Sequence, residues 1–167
     1  KGLLWARECG RVNATGEIIV NIDADCLPDK DWLSRGVSNF KDGVVAVTGP
    51  YDYYDGDRLF RFVSLFVQKH IYHLMNHTIQ FTKQGAVLIG GNNFIRADVI
   101  KKAGGYNTKL VFYGEDTDTA KRVFKYGKVV FDKKLQMKTS ARRFKQEGTL
   151  KITFKYLYHF FKIVLGG

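Results

Sequence analysis

Residues Gly16 to Asp29 read GEIIVNIDADCLPD, an apolar run that ends in two aspartates separated by one alanine. From Glu17 to Ile22 the run is rich in Ile and Val, the composition of a strand buried on both faces as in a parallel sheet. Ionised carboxylates at the mouth of such a strand are costly to desolvate, so they need a partner that outweighs the cost. A divalent cation meets that need. Residues i and i+2 of a strand point to the same side, so Asp23 and Asp25 converge if the extended geometry continues through them. Hard oxygen donors of this kind suit Mg²⁺ or Mn²⁺, with water and substrate phosphate completing the shell. Helix capping is the plainer use of aspartates near a turn, and Asp29 and Asp31 are better placed for it than Asp23 and Asp25.

Working outward, Pro28 breaks the strand, and Asp31 to Phe40 has helical spacing through Trp32, Leu33, Val37 and Phe40. Val44 to Val47 reads as a second strand, closed by Gly49-Pro50. A long helix is predicted from Arg58 to about Gln80, with Phe60, Val63, Val67, Ile71 and Leu74 as its apolar stripe. Ala86 to Ile89 leads into a turn-rich Gly90-Gly91-Asn92-Asn93, followed by a helix ending near Gly104-Gly105. Asp116 or a neighbour caps a helix running to about Tyr126, and Lys128 to Phe131 reads as one more strand. Strands alternating with helices indicate an α/β domain with its site at strand C-termini.

At 167 residues the chain is long enough for one domain with a real core. It begins at a lysine and shows no signal-peptide pattern, so a fragment of a longer chain is expected. The two cysteines have no metal or disulfide spacing, which fits a reducing compartment. The net charge of +11 is uneven: Lys121 to Gly167 holds thirteen Lys and Arg against two acids, while the first 120 residues are balanced. A cationic end suits an anionic surface or ligand, whether lipid headgroups, diphosphate or nucleic acid, and a solvated basic face that aids solubility explains the charge equally well. No nucleic-acid fold motif is present, and no nucleic-acid partner is expected.

The segments ARECGRVNATGEIIVNIDADCLPDKDWL, GGNNFIRADVIKKAGGYN and GEDTDTAKR, in that order, make the chain resemble the second half of a family 2 glycosyltransferase with the GT-A fold. The resemblance covers the chain up to about Glu147. It implies a partial GT-A catalytic domain over 1–147, with a mixed sheet flanked by helices and the N-terminal nucleotide-binding half missing. It also implies that Asp23 and Asp25 hold a nucleotide-sugar and its metal. An inverting transfer needs a base for the acceptor hydroxyl, and the family's E-D motif assigns that role to Asp116, with Glu115 positioning the acceptor or the base. The plainer account of both acids is a favourable interaction with a helix dipole, for which Asp118 is well placed. Thr119 stands where the family often carries an apolar residue.

Gly90 and Gly91 permit close backbone approach to a sugar, and Asn92 is able to bond its hydroxyls, although a plain left-handed turn explains the same residues. Arg142 and Arg143 suit a departing diphosphate and resemble the arginine-bearing gating segment of membrane-associated members, without the Q-x-x-R-W form of processive polymerases. Over 148–167, Lys151, Lys155, His159 and Lys162 form one stripe amid aromatics, in a segment too short and charged to span a bilayer but suited to its interface. A terminal helix packed on the core, with snorkelling lysines, is the competing account. His70, His73 and His77 share a helical face without a carboxylate to favour zinc.

The expected function is therefore transfer of a sugar from a nucleotide-sugar donor to a saccharide or lipid-linked acceptor. The expected place is the cytoplasmic face of the cell membrane, in cell-surface polysaccharide or glycolipid synthesis, with this stretch inactive alone. A haloacid-dehalogenase-type phosphohydrolase also uses D-x-D, but Cys26 replaces its usual Thr or Val and no later lysine motif appears. A non-catalytic basic membrane-binding module is the remaining alternative.

Overall fold

The structure, a computed structural model, describes residues 2–110 and 113–166. Helix α1 (Leu3–Asn13) leads to strand β1 (Ile18–Ile22), then a short β2 (Leu27–Pro28), α2 (Trp32–Ser38), β3 (Val44–Thr48) and β4 (Tyr51–Tyr53). One long helical rod follows, made of α3 (Arg58–Val67), a π turn (Gln68–Tyr72) and α4 (His73–Phe81). Next come β5 (Asn92–Arg96), α5 (Ala97–Lys102), α6 (Glu115–Val123), β6 (Lys128–Phe131) and β7 (Met137–Thr139). Helices α7 (Arg142–Glu147) and α8 (Thr149–Leu165) close the described chain.

The main sheet has the order β1-β5-β3-β6, and a smaller sheet has the order β2-β7-β4. β1 does not sit in a parallel sheet as its composition predicts. It pairs antiparallel with β5, Ile22 opposite Asn92, while β3 runs antiparallel to β5 and parallel to β6. The strand β5 is the element that the sequence conceals. Asn92 and Asn93 read as a turn, yet both are buried inside the strand, where their amides find partners to either side. Phe94 and Ile95 of the same strand fill the two main apolar clusters, one on each face of the sheet.

The rod α3–α4 docks in an unusual sense. Beside the apolar contacts of Ile79, Met75 and Tyr72, its inward side carries amides: Gln68 receives the Tyr51 N–H at 2.8 Å and donates to the Tyr51 carbonyl, so it pairs with the open edge of β4. Gln80 does the same on β6, donating to the Val129 carbonyl at 2.9 Å and accepting its N–H at 3.0 Å. Asn76 adds a donor to that carbonyl and accepts from the Val87 N–H. These side chains satisfy strand edges that otherwise present unpaired backbone groups. Of the predicted apolar stripe, Val63, Ile71 and Leu74 consequently lie exposed.

Candidate active site

The extended geometry of β1 stops at Ile22, and the expected convergence of Asp23 and Asp25 by strand alternation does not occur. Asp23 to Cys26 form a turn, closed by the Cys26 N–H donating to the Asp23 carbonyl at 3.0 Å. The two carboxylates take different partners. Asp23 accepts from Arg7 Nη2 at 3.0 Å and lies 3.4 Å from the Tyr51 hydroxyl. Asp25 is held loosely, 3.5 Å from the Thr139 hydroxyl and 3.7 Å from Arg142 Nη2. The neighbouring candidates for capping are otherwise engaged: Asp31 stands at the N-cap of α2 but turns its carboxylate to Arg35, and Asp29 pairs with Lys138.

Arg7 organises the floor of the cleft. Its side chain is only 9 % exposed, and its second nitrogen donates to Asp116 Oδ1 at 3.2 Å. The strand-terminal acid and the acid on α6 are thus bridged by one guanidinium delivered from α1. Burial pushes the Asp116 carboxyl up to about 7; Arg7 pulls against that shift, while Glu115 and Asp23 add to it. The side chain keeps 31 % of its surface open, so water still reaches the carboxylate.

Gly90 and Gly91 serve these acids rather than a left-handed turn; neither has a positive φ. A Cβ at Gly90 would stand 2.6 Å from Asp116 Oδ1, and one at Gly91 would collide with the Asp23 carboxylate and the Tyr51 hydroxyl. Tyr51 accepts the Gly91 N–H at 2.8 Å, and burial, followed by the Asp23 charge, holds its phenol well above the usual range. Asn93 shapes the same turn by donating to the carbonyls of Ile89 and Gly90.

Asn92, expected to meet a sugar, does not face the cleft. It is fully buried, accepts from Trp32 Nε1 at 2.8 Å and donates to the carbonyls of Gly49 and Leu135 at 2.9 and 2.8 Å. Its amide is consumed in joining α2, the end of β3 and the approach to β7. A strand position with alternating burial faces inward here because β5 is covered on both sides.

Glu115 is the first residue of α6 and is buried beside Asp116, behind a left-handed pair at Tyr113 and Gly114 (φ 66° and 87°). Thr119 buries its hydroxyl by donating to the Glu115 carbonyl at 2.9 Å, which accounts for a polar residue on the packed face. Arg142 opens α7 at the rim, 70 % exposed and nearest to Asp25. Arg143 points elsewhere and donates to the Tyr156 hydroxyl of α8 at 3.1 Å. The α8 stripe is split in the same way: Lys155 pairs with Glu147 at 2.9 Å, and His159 stacks on Tyr113.

The donor set fits the metal that the sequence leads one to expect. Asp25 and the uncommitted lone pairs of Asp23 are hard, partly open oxygens, too few to enclose an ion and so suited to one whose shell a diphosphate completes. Among the described residues no group of three His, Cys, Asp or Glu stands ready to hold an ion unaided, the histidine row included.

Arg7 and Tyr51 are the site residues that the sequence reading passes over. Arg7 lies within the ARECG stretch, but a single arginine on a helix carries no spacing signal toward an acid more than a hundred positions away. Tyr51 directly follows Gly49-Pro50, and nothing in its neighbourhood marks it as a site residue.

A mixed sheet with an acid pair at one strand end and a second acidic pair opening a later helix defines a GT-A glycosyltransferase domain, present in part. The chain belongs to glycosyl transferase family 2, whose family model matches residues 1–104. Among solved structures, the mannosyltransferase PcManGT of Pyrobaculum calidifontis, in complex with GDP-Man and Mn²⁺, is similar with a TM-score of 0.68 at 21 % identity, over 100 % of this chain and 45 % of that one. Glucosyl-3-phosphoglycerate synthase of Mycobacterium tuberculosis, in complex with Mn²⁺, UDP-glucose and phosphoglyceric acid, is similar with a TM-score of 0.55 at 17 % identity, over 98 % and 55 %. The chain spans about half the length of these structures. A comparison with curated proteins gives no significant match.

Proposed function

We propose that the chain supplies the metal-holding acids and the catalytic base of an inverting glycosyltransferase that uses a nucleotide-diphosphate sugar. The observation that carries this reading is the Arg7 bridge, which brings Asp23 and Asp116 to one cleft although they lie on separate elements. In the transfer, an acceptor hydroxyl oxygen bonds to the anomeric carbon as the bond from that carbon to the diphosphate oxygen breaks. The hydroxyl proton passes to the Asp116 carboxylate, and the nucleoside diphosphate departs from the opposite face, so the configuration inverts. A carboxyl poised near 7 is ionised in good part at neutral pH and is a stronger proton acceptor than an ordinary aspartate.

Arg7 keeps Asp116 ionised and aimed into the cleft. Asp25, with Asp23 beside it, would hold Mg²⁺ or Mn²⁺, which supplies charge neutralisation to the leaving diphosphate when bound. Arg142, exposed at the rim, is free to swing toward that diphosphate and add charge-assisted bonds. Glu115, buried next to the base, positions the acceptor or the base.

The acceptor in this reading is a saccharide or lipid-linked hydroxyl, and α8 rests on the cytoplasmic face of a membrane, in surface polysaccharide or glycolipid synthesis. Among the described residues no helix is long and apolar enough to cross a bilayer. The two unpaired cysteines accord with a reducing compartment. Because the matched structures are about twice as long, activity is expected of the longer enzyme and not of this stretch alone.

The test is Asp116→Asn in the active enzyme. Donor affinity should persist while transfer falls ~10²- to 10⁴-fold, the usual cost of losing a general base. Transfer at nearly the parent rate would refute the assignment.

A further inference from the structure

We propose that the outward face of the α3–α4 rod is a second lipid-contacting surface, which joins α8 in a single footprint on an anionic bilayer. A helix on a water-soluble domain normally turns its apolar stripe inward. Here much of the inward stripe is Gln68, Asn76 and Gln80, spent on strand edges beside the buried Ile79, and three of the four phenylalanines, Phe62, Phe66 and Phe81, face out. Phe62 is 69 % exposed and Phe81 89 %, with Leu59, Phe66 and Leu74 exposed along the same rod. Scattered exposed apolar residues need no explanation, but a row at helical spacing along one rod marks an interaction surface.

Charge selects the occupant. From Arg58 to Phe81 there is no carboxylate, and Arg58, Lys69 and three histidines supply basic positions, Arg61 being paired with Asp52 of β4. α8 repeats the pattern, with Lys151 and Lys162 and no acid of its own, while its Lys155 pairs with Glu147 of α7. Two helices that combine exposed aromatics with basic residues and exclude carboxylates match the chemistry of an anionic headgroup layer over an acyl interior. A protein partner or a second copy of this cationic chain would have to bring the missing negative charge, and the like-charged copy does not.

The two helices are also linked near both ends of the rod. Val164 of α8 and Ile79 of α4 share one apolar cluster, with Phe160, Tyr72 and Met75 packed against it. At the other end Phe144 links them, its ring 5.1 Å from Phe60 of α3 and 6.4 Å from Tyr156 of α8. Phe154, Phe161 and Leu165 of α8 are exposed as well. Arg142 opens α7, the helix that carries Phe144, so the footprint adjoins the rim of the cleft.

This extends the α8 contact proposed above, and the experiment separates the two. Flotation of the protein carrying this chain is compared on vesicles of phosphatidylcholine alone and of phosphatidylcholine with phosphatidylglycerol. Parent protein should float with the anionic vesicles. Phe62→Glu with Phe66→Glu should weaken that binding ~10- to 100-fold, whereas Leu33→Glu with Val37→Glu, the same charge change on the exposed side of α2, should not. Lys151→Glu with Lys162→Glu reads the α8 contact by itself. Circular dichroism confirms that each variant is folded, and a parent protein that ignores anionic vesicles overturns the proposal. So does undiminished binding by the Phe62/Phe66 variant, and so does a parent dimer that this variant makes monomeric without change in flotation.

Discussion

Arg7 and Asp116, 109 positions apart in sequence, meet at 3.2 Å, and the same guanidinium reaches Asp23 at 3.0 Å. Two acids from different elements are thereby drawn to one guanidinium. Replacing Arg7 by Met keeps the length of the side chain and removes the charge. The folded protein should lose roughly 1–3 kcal/mol in urea denaturation, and the pH at half-maximal transfer should move upward. Arg7→Lys should recover part of both losses, since one ammonium serves one carboxylate well but not two.

The pH dependence follows from Asp116 itself. Its carboxyl is raised from 3.8 to about 7, so the folded chain holds a proton that the unfolded chain releases. Stability from this group is therefore greatest in acid, declines as pH rises from 3.8 to about 7 and levels off above that. Transfer has the opposite slope, because only the ionised base accepts a proton, and kcat/KM should climb to a plateau above about 7. Asp116→Asn removes the cost of burying the charge. At pH 8 its Tm should exceed that of the parent by about 2–4 °C, the response of a chain this size to ~1 kcal/mol, with the gain shrinking toward pH 4. A variant no more stable at pH 8 than the parent would contradict the raised carboxyl.

Gly91→Ala tests the close approach of the strand to Asp23. The added methyl falls on the Asp23 carboxylate and the Tyr51 hydroxyl. With Asp23 displaced, Mn²⁺-dependent binding of a nucleoside diphosphate should weaken about 10- to 100-fold in calorimetric titration, the range seen when the support of a metal ligand is lost. Far-ultraviolet dichroism should stay near that of the parent.

Asn92→Ala gives the reverse pattern. Removing the amide strands Trp32 Nε1 and the carbonyls of Gly49 and Leu135 without their partner. A loss of roughly 3 kcal/mol or more is expected from urea denaturation, while donor affinity of the remaining folded protein should match the parent. A specific loss of donor affinity would restore Asn92 to the cleft.

Much of the chain announces itself locally. The Ile and Val run before Asp23 and the turn residues around it place a strand that delivers acids, and β1 ends where that reading ends it. The rod from Arg58 and the helix opening at Glu115 are likewise legible, because helical periodicity is a property of neighbouring residues. Strand β5 was not legible, because two asparagines in a row carry a turn signature and only lateral partners make them tolerable in a core.

The sequence by itself determined most of the helices and several strands, the acidic ends and the concentration of positive charge toward the C-terminus. Tertiary structure decided what those elements face. Amides on the rod found strand edges and so sent three of its four phenylalanines outward, and a guanidinium from α1 chose which two of several acids share a cleft. Periodicity and composition describe a segment, whereas pairing of edges and charges depends on which distant groups must satisfy one another once water is excluded.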